Sequence, residues 1–473
     1  MKKLILIISI SFMSTVLVAQ ERDSTVLTFD EFYALVLKNH PLARQANLLT
    51  EQGAAQVRLA RGNFDPKLGF SWQRKDFDDK EYYNKLEATL KVPTWLGLTP
   101  EVGVNQNEGQ FLNPENFISE STENRQVFGG VSVTLGRGLF IDERRAALQQ
   151  AKLFEEMAEA EKVKALNKLL LSAAKDYWEW YYAYYNNEMV LSGIALAQDI
   201  FNRTKLGFKY GEVAVIDTVQ AKTNLLSRKT ELLESEIALN RARLILSNYI
   251  WSEEGQPREI PEVYIPQQPS VDALDSDGFI FLVNSARENH PELQKIRLKR
   301  ESLAVDRRLA VENLKPQIDL KYHLLDQPWS FGGEETRFNL DENYRFGLDF
   351  SFPLFLRKER AKIRQTDLKV QENSLQEDYT ERSIVNEVNA RYFQLLNTAQ
   401  IISQRAQMVD NYERLVAAER LNLTNGESDL FKLNSQLDKL LESRSKLIKE
   451  NANYKKMLAE LYWWAGIENL SLN

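Results

Sequence analysis

Asn39-His40-Pro41-Leu42 and Asn289-His290-Pro291-Glu292 are one motif written twice, 250 residues apart. The offset holds downstream without a gap. Arg58-Leu59-Ala60 returns as Arg308-Leu309-Ala310, and Asn63 and Pro66 return as Asn313 and Pro316. Further on, the offset is 215. Arg145-Ala146 matches Arg360-Ala361, Tyr177-Trp178 matches Tyr392-Phe393, Gly211-Glu212 matches Gly426-Glu427, and Leu246 matches Leu461. A chain that repeats at fixed offsets is built from two like units. The change of offset marks a middle section that is longer in the first half.

Proline spacing separates the units. None occurs between Pro114 and Pro257 or after Pro353, whereas Pro257, Pro261, Pro266 and Pro269 cluster between the halves. Proline breaks helix interiors, so these gaps permit very long helices. The cluster predicts an extended linker over 252–277. Leu225, Leu232, Leu239 and Leu246 recur every seven residues, as do Leu433, Leu440, Leu447, Tyr454 and Leu461. Such heptads imply helices packed along their length. A helix over 142–210 would run roughly 100 Å at 1.5 Å per residue, and one over 212–250 roughly 60 Å. Gly211 and Gly426 sit where each long helix must turn back.

Between the helices the period changes to two. Leu68, Phe70 and Trp72 alternate, as do Leu86, Ala88, Leu90 and Val92, then Val127, Gly129, Val131, Val133 and Leu135. In the second half Ile318, Leu320, Tyr322 and Leu324 alternate, followed by Tyr344, Phe346, Leu348, Phe350 and Phe352. These are strands with one apolar face, of a length that suits transmembrane β-strands. Asp76 to Lys80 and Gly332-Gly333-Glu334-Glu335 read as loops. The second hairpin is clear. The first section holds three or four strand-like pieces, and which of them cross a membrane stays open.

The expected organisation follows. Residues 1–19 form a secretory signal peptide, with Lys2 and Lys3 before an apolar stretch and Ala19 at the cleavage point. The first repeat covers 20–251, with a leading helix, a strand hairpin within 66–138, a long helix over 142–210 and a return helix over 212–250. The linker is 252–277. The second repeat covers 278–473, with a leading helix, a strand hairpin at 316–353, a long helix over 357–425 and a return helix over 427–465. Two strands per half make four per chain. Four cannot close a barrel, and open edges are not tolerated in lipid. Three chains would supply twelve, within the range of outer-membrane barrels.

Composition narrows the function. The net charge is −7, with no long basic run, which argues against nucleic acid as a partner. Cysteine is absent, which removes disulfides, thiolate metal sites, cysteine nucleophiles and an N-terminal lipid anchor. Three histidines leave no basis for a histidine-rich metal site. His40 and His290 precede prolines and read as helix-end residues. His323 lies alone in a strand. No nucleophile elbow, phosphate loop or HExxH occurs, so neither an enzyme nor a cofactor is expected.

With these features in order, the chain resembles the TolC-type outer-membrane efflux proteins over essentially its whole mature length. The resemblance rests on the paired Asn-His-Pro motifs, the proline-led strands and the two glycine turns. It also rests on the helix starts Leu139-Phe140-Ile141-Asp142-Glu143-Arg144-Arg145-Ala146 and Leu354-Phe355-Leu356-Arg357-Lys358-Glu359-Arg360-Ala361. It implies an α+β membrane protein: a homotrimer sharing a twelve-stranded barrel in outer-membrane lipid, continued by an α-helical barrel across the periplasm of a Gram-negative cell. The implied function is a passive channel for efflux or type I secretion. It docks onto a periplasmic adaptor (membrane fusion) protein and an inner-membrane efflux pump or secretion transporter. The rival reading is a periplasmic coiled-coil adaptor or structural protein without a channel, which would have no use for apolar strands.

The resemblance also directs attention to the helix tips. Tyr210, Gly211, Glu212, Asn425, Gly426 and Glu427 are the expected docking residues. Asp217, Lys432 and Asp429 are the expected tunnel constriction, with Lys432 placed to pair with Asp217. The aromatic cluster Tyr177, Trp178, Trp180, Tyr181, Tyr182, Tyr184 and Tyr185 is expected to pack the linker against the helices, since by residue count it lies level with Ile245 and close to Tyr249.

Overall fold

A computed structural model describes residues 25–271, 276–326 and 342–467. The expected signal peptide and the loop at Gly332-Gly333-Glu334-Glu335 lie outside the described residues.

The chain begins with β1 (Thr25–Leu27), α1 (Phe29–Asn39) and α2 (Pro41–Arg61). The strands β2 (Lys67–Phe77), β3 (Lys80–Lys91), β4 (Leu98–Glu108) and β5 (Arg125–Gly136) follow, then α3 (Glu143–Tyr210) and α4 (Val215–Ser247). The linker holds β6 (Tyr264–Pro266). The pattern then returns as α5 (Ser276–Asn289), α6 (Pro291–Glu312), β7 (Gln317–Asp326), β8 (Tyr344–Ser351), α7 (Arg357–Thr424) and α8 (Leu430–Trp464).

Local chemistry sets the boundaries. Thr28 and Glu31 form a reciprocal capping box at the start of α1. The Asn-His-Pro motif is the corner between paired helices. His40 Nδ1 accepts the Leu42 N–H at 3.1 Å and His290 Nδ1 accepts the Glu292 N–H at 3.2 Å, each with proline at the next position. The histidines are therefore N-caps, at positions where the missing proline N–H costs nothing. Each leading segment is two helices broken at this corner.

Helices α3 and α7 each contain 68 residues. Helix α3 packs on α4, α7 on α8, and α3 on α8, giving the order α4–α3–α8–α7. Nearer the strands the order is α2–α3–α6–α7. The heptad leucines carry part of this packing: Leu225, Leu246, Leu433, Leu440 and Leu461 are buried. The main core lies where the linker, α1, α5 and the ends of α4 and α8 surround the middle of α3 and α7.

All described strands except β1 and β6 form one antiparallel sheet in the order β2-β3-β4-β5-β7-β8. The section 66–138, read as a hairpin holding three or four strand-like pieces, contains four strands that form a meander, and β5 pairs with β7 to join the two repeats. The unread strand is β4. Its apolar signal is short, and Pro100 sits inside it, which normally demotes a strand assignment. The Pro100 carbonyl still accepts from Val92 N–H at 2.9 Å.

Candidate channel wall and helix tips

The sheet has two unlike faces. Register places Leu68 opposite Leu90, Leu90 opposite Val102, Val102 opposite Gly129, Gly129 opposite Leu324, and Leu324 opposite Tyr344. The same side carries Phe70, Trp72, Leu86, Ala88, Val104, Val131, Val133, Leu320, Leu348 and Phe350, because alternate residues share a face. The other side carries Ser71, Gln73, Lys85, Glu87, Thr89, Glu101, Asn105, Ser132, Thr134, Asp319, Lys321, Arg345 and Asp349. One apolar and one polar face over six strands is the pattern of a wall between lipid and water. Among the described residues, β2 and β8 have no partner on their outer sides.

The polar face holds a cluster that the sequence did not reveal. His323 Nε2 lies 3.4 Å from Glu101 Oε2, and Lys91 Nζ lies 3.5 Å from the same carboxylate oxygen. The Phe128 ring packs edge-on to His323 at 5.3 Å, with the Arg345 guanidinium above it. His323, expected from sequence to stand alone in a strand, instead lies against Glu101 and Phe128. Its neighbour Glu101 belongs to the unread strand.

Below the sheet, the Leu139–Ala146 motif forms a helix start. Asp142 Oδ1 accepts the Arg145 N–H at 2.9 Å and its Nε–H at 3.1 Å, while Arg144 reaches Oδ2. Burial opposes ionisation of Asp142, but these hydrogen bonds and the arginine charges outweigh it and hold the carboxyl below its ordinary range. Arg145 also binds the Gly138 and Leu139 carbonyls. The junction between strand and helix is therefore pinned from both sides.

Midway along α3, the aromatic cluster packs the linker as expected. Tyr177 Oη donates to the Leu27 carbonyl at 2.5 Å and accepts the Gln267 N–H at 3.0 Å. Tyr185 Oη donates to the Pro266 carbonyl. Tyr177, Trp178 and Trp180 are fully buried. Burial pushes the Tyr181 hydroxyl up to about 12 and the Tyr177 hydroxyl higher still. The parallel pairing of β1 with β6 completes the seam.

At the far ends, two turns are alike. Gly211 and Gly426 both have φ of 76°. The N–H groups of Gly211 and Glu212 bond back to the Phe208 and Gly207 carbonyls, and those of Gly426 and Glu427 to Leu423 and Asn422. This satisfies the last carbonyls of each long helix. Tyr210 is exposed, with Val215, Ile216, Leu421 and Phe431 also exposed nearby. The expected constriction residues have local duties. Asp217 Oδ2 accepts the Ala214 N–H at 3.0 Å, and Asp429 Oδ1 accepts the Lys432 N–H at 2.8 Å. Both carboxylates cap the return helices and suit the positive end of the dipole. The expected ion pair between Asp217 and Lys432 is absent within the chain, among the described residues.

The outer helices leave apolar stripes uncovered. On α4 these are Leu226, Leu233, Ile237 and Leu244, and on α7 they are Phe393, Ile401, Met408 and Leu415. Leu244 lies 33 residues after Gly211, and Phe393 lies 33 residues before Gly426, so the stripes reach the same height above the turns. Among the described residues, no group could hold a metal, and no helix is long and apolar enough to cross a membrane.

Comparison with known proteins agrees with this architecture. Residues 282–466 match the family model described as outer membrane efflux protein. Comparison with curated proteins finds no match. Among solved structures, the chain is similar to the CmeC outer membrane channel of Campylobacter jejuni, with 14% identity, TM-score 0.64, and 92% of this chain and 85% of that one covered. It is similar to the VceC outer membrane protein of Vibrio cholerae at 15% identity and TM-score 0.63, covering 92% and 95%. It is also similar to the open state of the MtrE outer membrane channel of Neisseria gonorrhoeae at 14% identity and TM-score 0.65, covering 92% and 88%. Residues 282–466 are thus similar in sequence to the outer membrane efflux proteins, and nearly the whole chain shares its fold with solved outer-membrane channels.

Proposed function

We propose that three copies of this chain close into one passive export channel, a barrel in the outer membrane continued by a helical tunnel through the periplasm. The observation that carries this reading is a sheet with a lipid-type face and two open edges, standing on helices whose flanks are also open. An isolated copy would leave strand edges unpaired in lipid, which is costly. The apolar stripes of α4 and α7 supply the matching contact below. Joining α4 of one copy to α7 of the next is a heterologous contact, and such contacts generate closed rings. The family resemblance implies twelve strands, four from each copy; the sheet of this chain offers six.

In this reading the tips meet a periplasmic adaptor through Tyr210, Gly211, Glu212, Asn425, Gly426 and Glu427. The exposed apolar residues beside them give that contact area. Asp217, Asp429 and Lys432 gather three-fold at the narrow end, where repeated charges set the field for passing ions. The inner-membrane transporter supplies energy and chooses the cargo.

The test uses the absence of native cysteine. Leu244→Cys combined with Phe393→Cys should give covalent trimers on oxidation in intact cells. Monomers alone, with the helices folded, would contradict the ring.

A further inference from the structure

We infer that all six strands of the sheet stand in the membrane wall, so that three copies close an eighteen-stranded barrel. The surface involved is the pair of open edges: the outer side of β2 takes the outer side of β8 from a second copy. The inference rests on the three-copy reading above and concerns what that ring is made of.

The first ground is the faces of β3 and β4. A hairpin folded into the lumen or lying above the membrane would have no need of an apolar face. Here Leu86, Ala88 and Leu90 of β3 and Leu98, Val102 and Val104 of β4 continue the apolar side of β2 and β5 in register. Lys85, Glu87, Thr89, Glu101, Gly103 and Asn105 continue the polar side. The second ground is the turn between these strands. Thr94 N–H bonds to the Leu98 carbonyl, and the turn lies at the helix end of the sheet, with Gly97 beside Arg145. It exposes Trp95 and Leu96, just as the neighbouring strand-to-helix junctions expose Phe140 and Phe355. Exposed aromatics at one level are the mark of a membrane–water interface.

The third ground is strand direction. Six antiparallel strands leave β2 and β8 running in opposite senses. The β8 of one copy therefore meets the β2 of the next antiparallel, and every join in the ring is alike. The fourth ground is width. Strands spaced ~4.8 Å and tilted ~40° each take about 6 Å of circumference. Six take roughly 37 Å. The four helices beneath them, α2, α3, α6 and α7, take about 36 Å at ~9 Å each. Four strands would take only about 25 Å, and the wall would have to taper sharply. Eighteen strands give a barrel radius of roughly 18 Å, against roughly 12 Å for twelve. The exit is then as wide as the tube that feeds it.

The experiment is electron cryomicroscopy of the full-length chain in lipid nanodiscs, with strands counted in cross-section at bilayer level. Eighteen strands, six per copy with β2 against the next copy's β8, is the expected result. Twelve strands in a trimer, with β3 and β4 outside the wall, would overturn this inference while leaving the shared barrel intact. A particle with no β wall in the bilayer would overturn the shared-barrel reading and this one with it. A second measurement needs no image. Single cysteines introduced in turn at positions 86–90 and 101–105 each take one spin label per copy. The expected accessibility alternates, even positions colliding with oxygen in lipid and odd ones with a water-soluble nickel chelate. Access of the chelate at every position would overturn the inference.

Discussion

Tyr177 and Gln267 are 90 residues apart in sequence, yet the tyrosine oxygen receives the glutamine N–H at 3.0 Å while donating to Leu27. One buried hydroxyl thus ties the linker and the first strand to the same turn of α3. Tyr177→Phe leaves a carbonyl and an N–H without their partner, a loss of about 1–3 kcal/mol. The expected outcome is a lower melting temperature and faster tryptic cleavage at Arg258. Wild-type values for both would show that the hydroxyl does not hold the linker.

The turns at Gly211 and Gly426 should rank substitutions by backbone alone. Nothing lies within 4 Å of an added Cβ at either site, but both have φ of 76°. Alanine should cost about 1 kcal/mol at each turn, and asparagine less. Thermal unfolding of the alanine and asparagine variants measures the order. An alanine variant as stable as the wild type would contradict the left-handed turn.

His290 predicts a pH dependence. Burial, the largest influence, pushes its pKa down to about 4 from an ordinary 6.5, with Lys164 adding to the effect and Glu292 opposing it. Between these values the unfolded chain binds a proton that the folded chain does not. Stability is therefore full above about pH 6.5 and falls as the pH drops toward 4, by of order 2–3 kcal/mol. His290→Asn can still cap α6 and should flatten this part of the profile. Melting curves at pH 7 and 4.5 compare the two. An equal drop in the variant would assign the acid sensitivity elsewhere.

The two faces of the sheet predict opposite responses at adjacent positions of β5. Val131→Arg puts a charge on the apolar side and should cost about 2–4 kcal/mol near the bilayer midplane, while Ser132→Arg faces water and should be tolerated. The yield of membrane-extracted oligomer reads the difference. Equal yields would mean that the face assignment is wrong.

Much of this fold was legible because its signals are long. Two halves at fixed offsets, proline-free spans and heptad leucines each persist over many turns, so local exceptions do not obscure them. The glycine turns and the aromatic seam could be located by counting residues along helices of constant rise. Strand β4 was not legible. Pro100 interrupts it, and its polar residues Thr99, Glu101, Asn105 and Asn107 alternate with the apolar ones on the opposite face of the sheet. Their role appears only once register sets them beside β3 and β5. The Glu101–His323 contact was hidden for the same reason, since its members are far apart in sequence and meet through β5 and β7. At the tips, sequence marked the charged residues but not their partners. Asp217 caps its own helix start through the Ala214 N–H and does not reach Lys432, whose backbone N–H is instead capped by Asp429.

The most direct test of a shared export channel is single-channel recording of the detergent-purified protein in planar bilayers, with particle mass measured on the same sample. The account predicts trimers that give discrete conductance steps. A stable monomer that never conducts would contradict it.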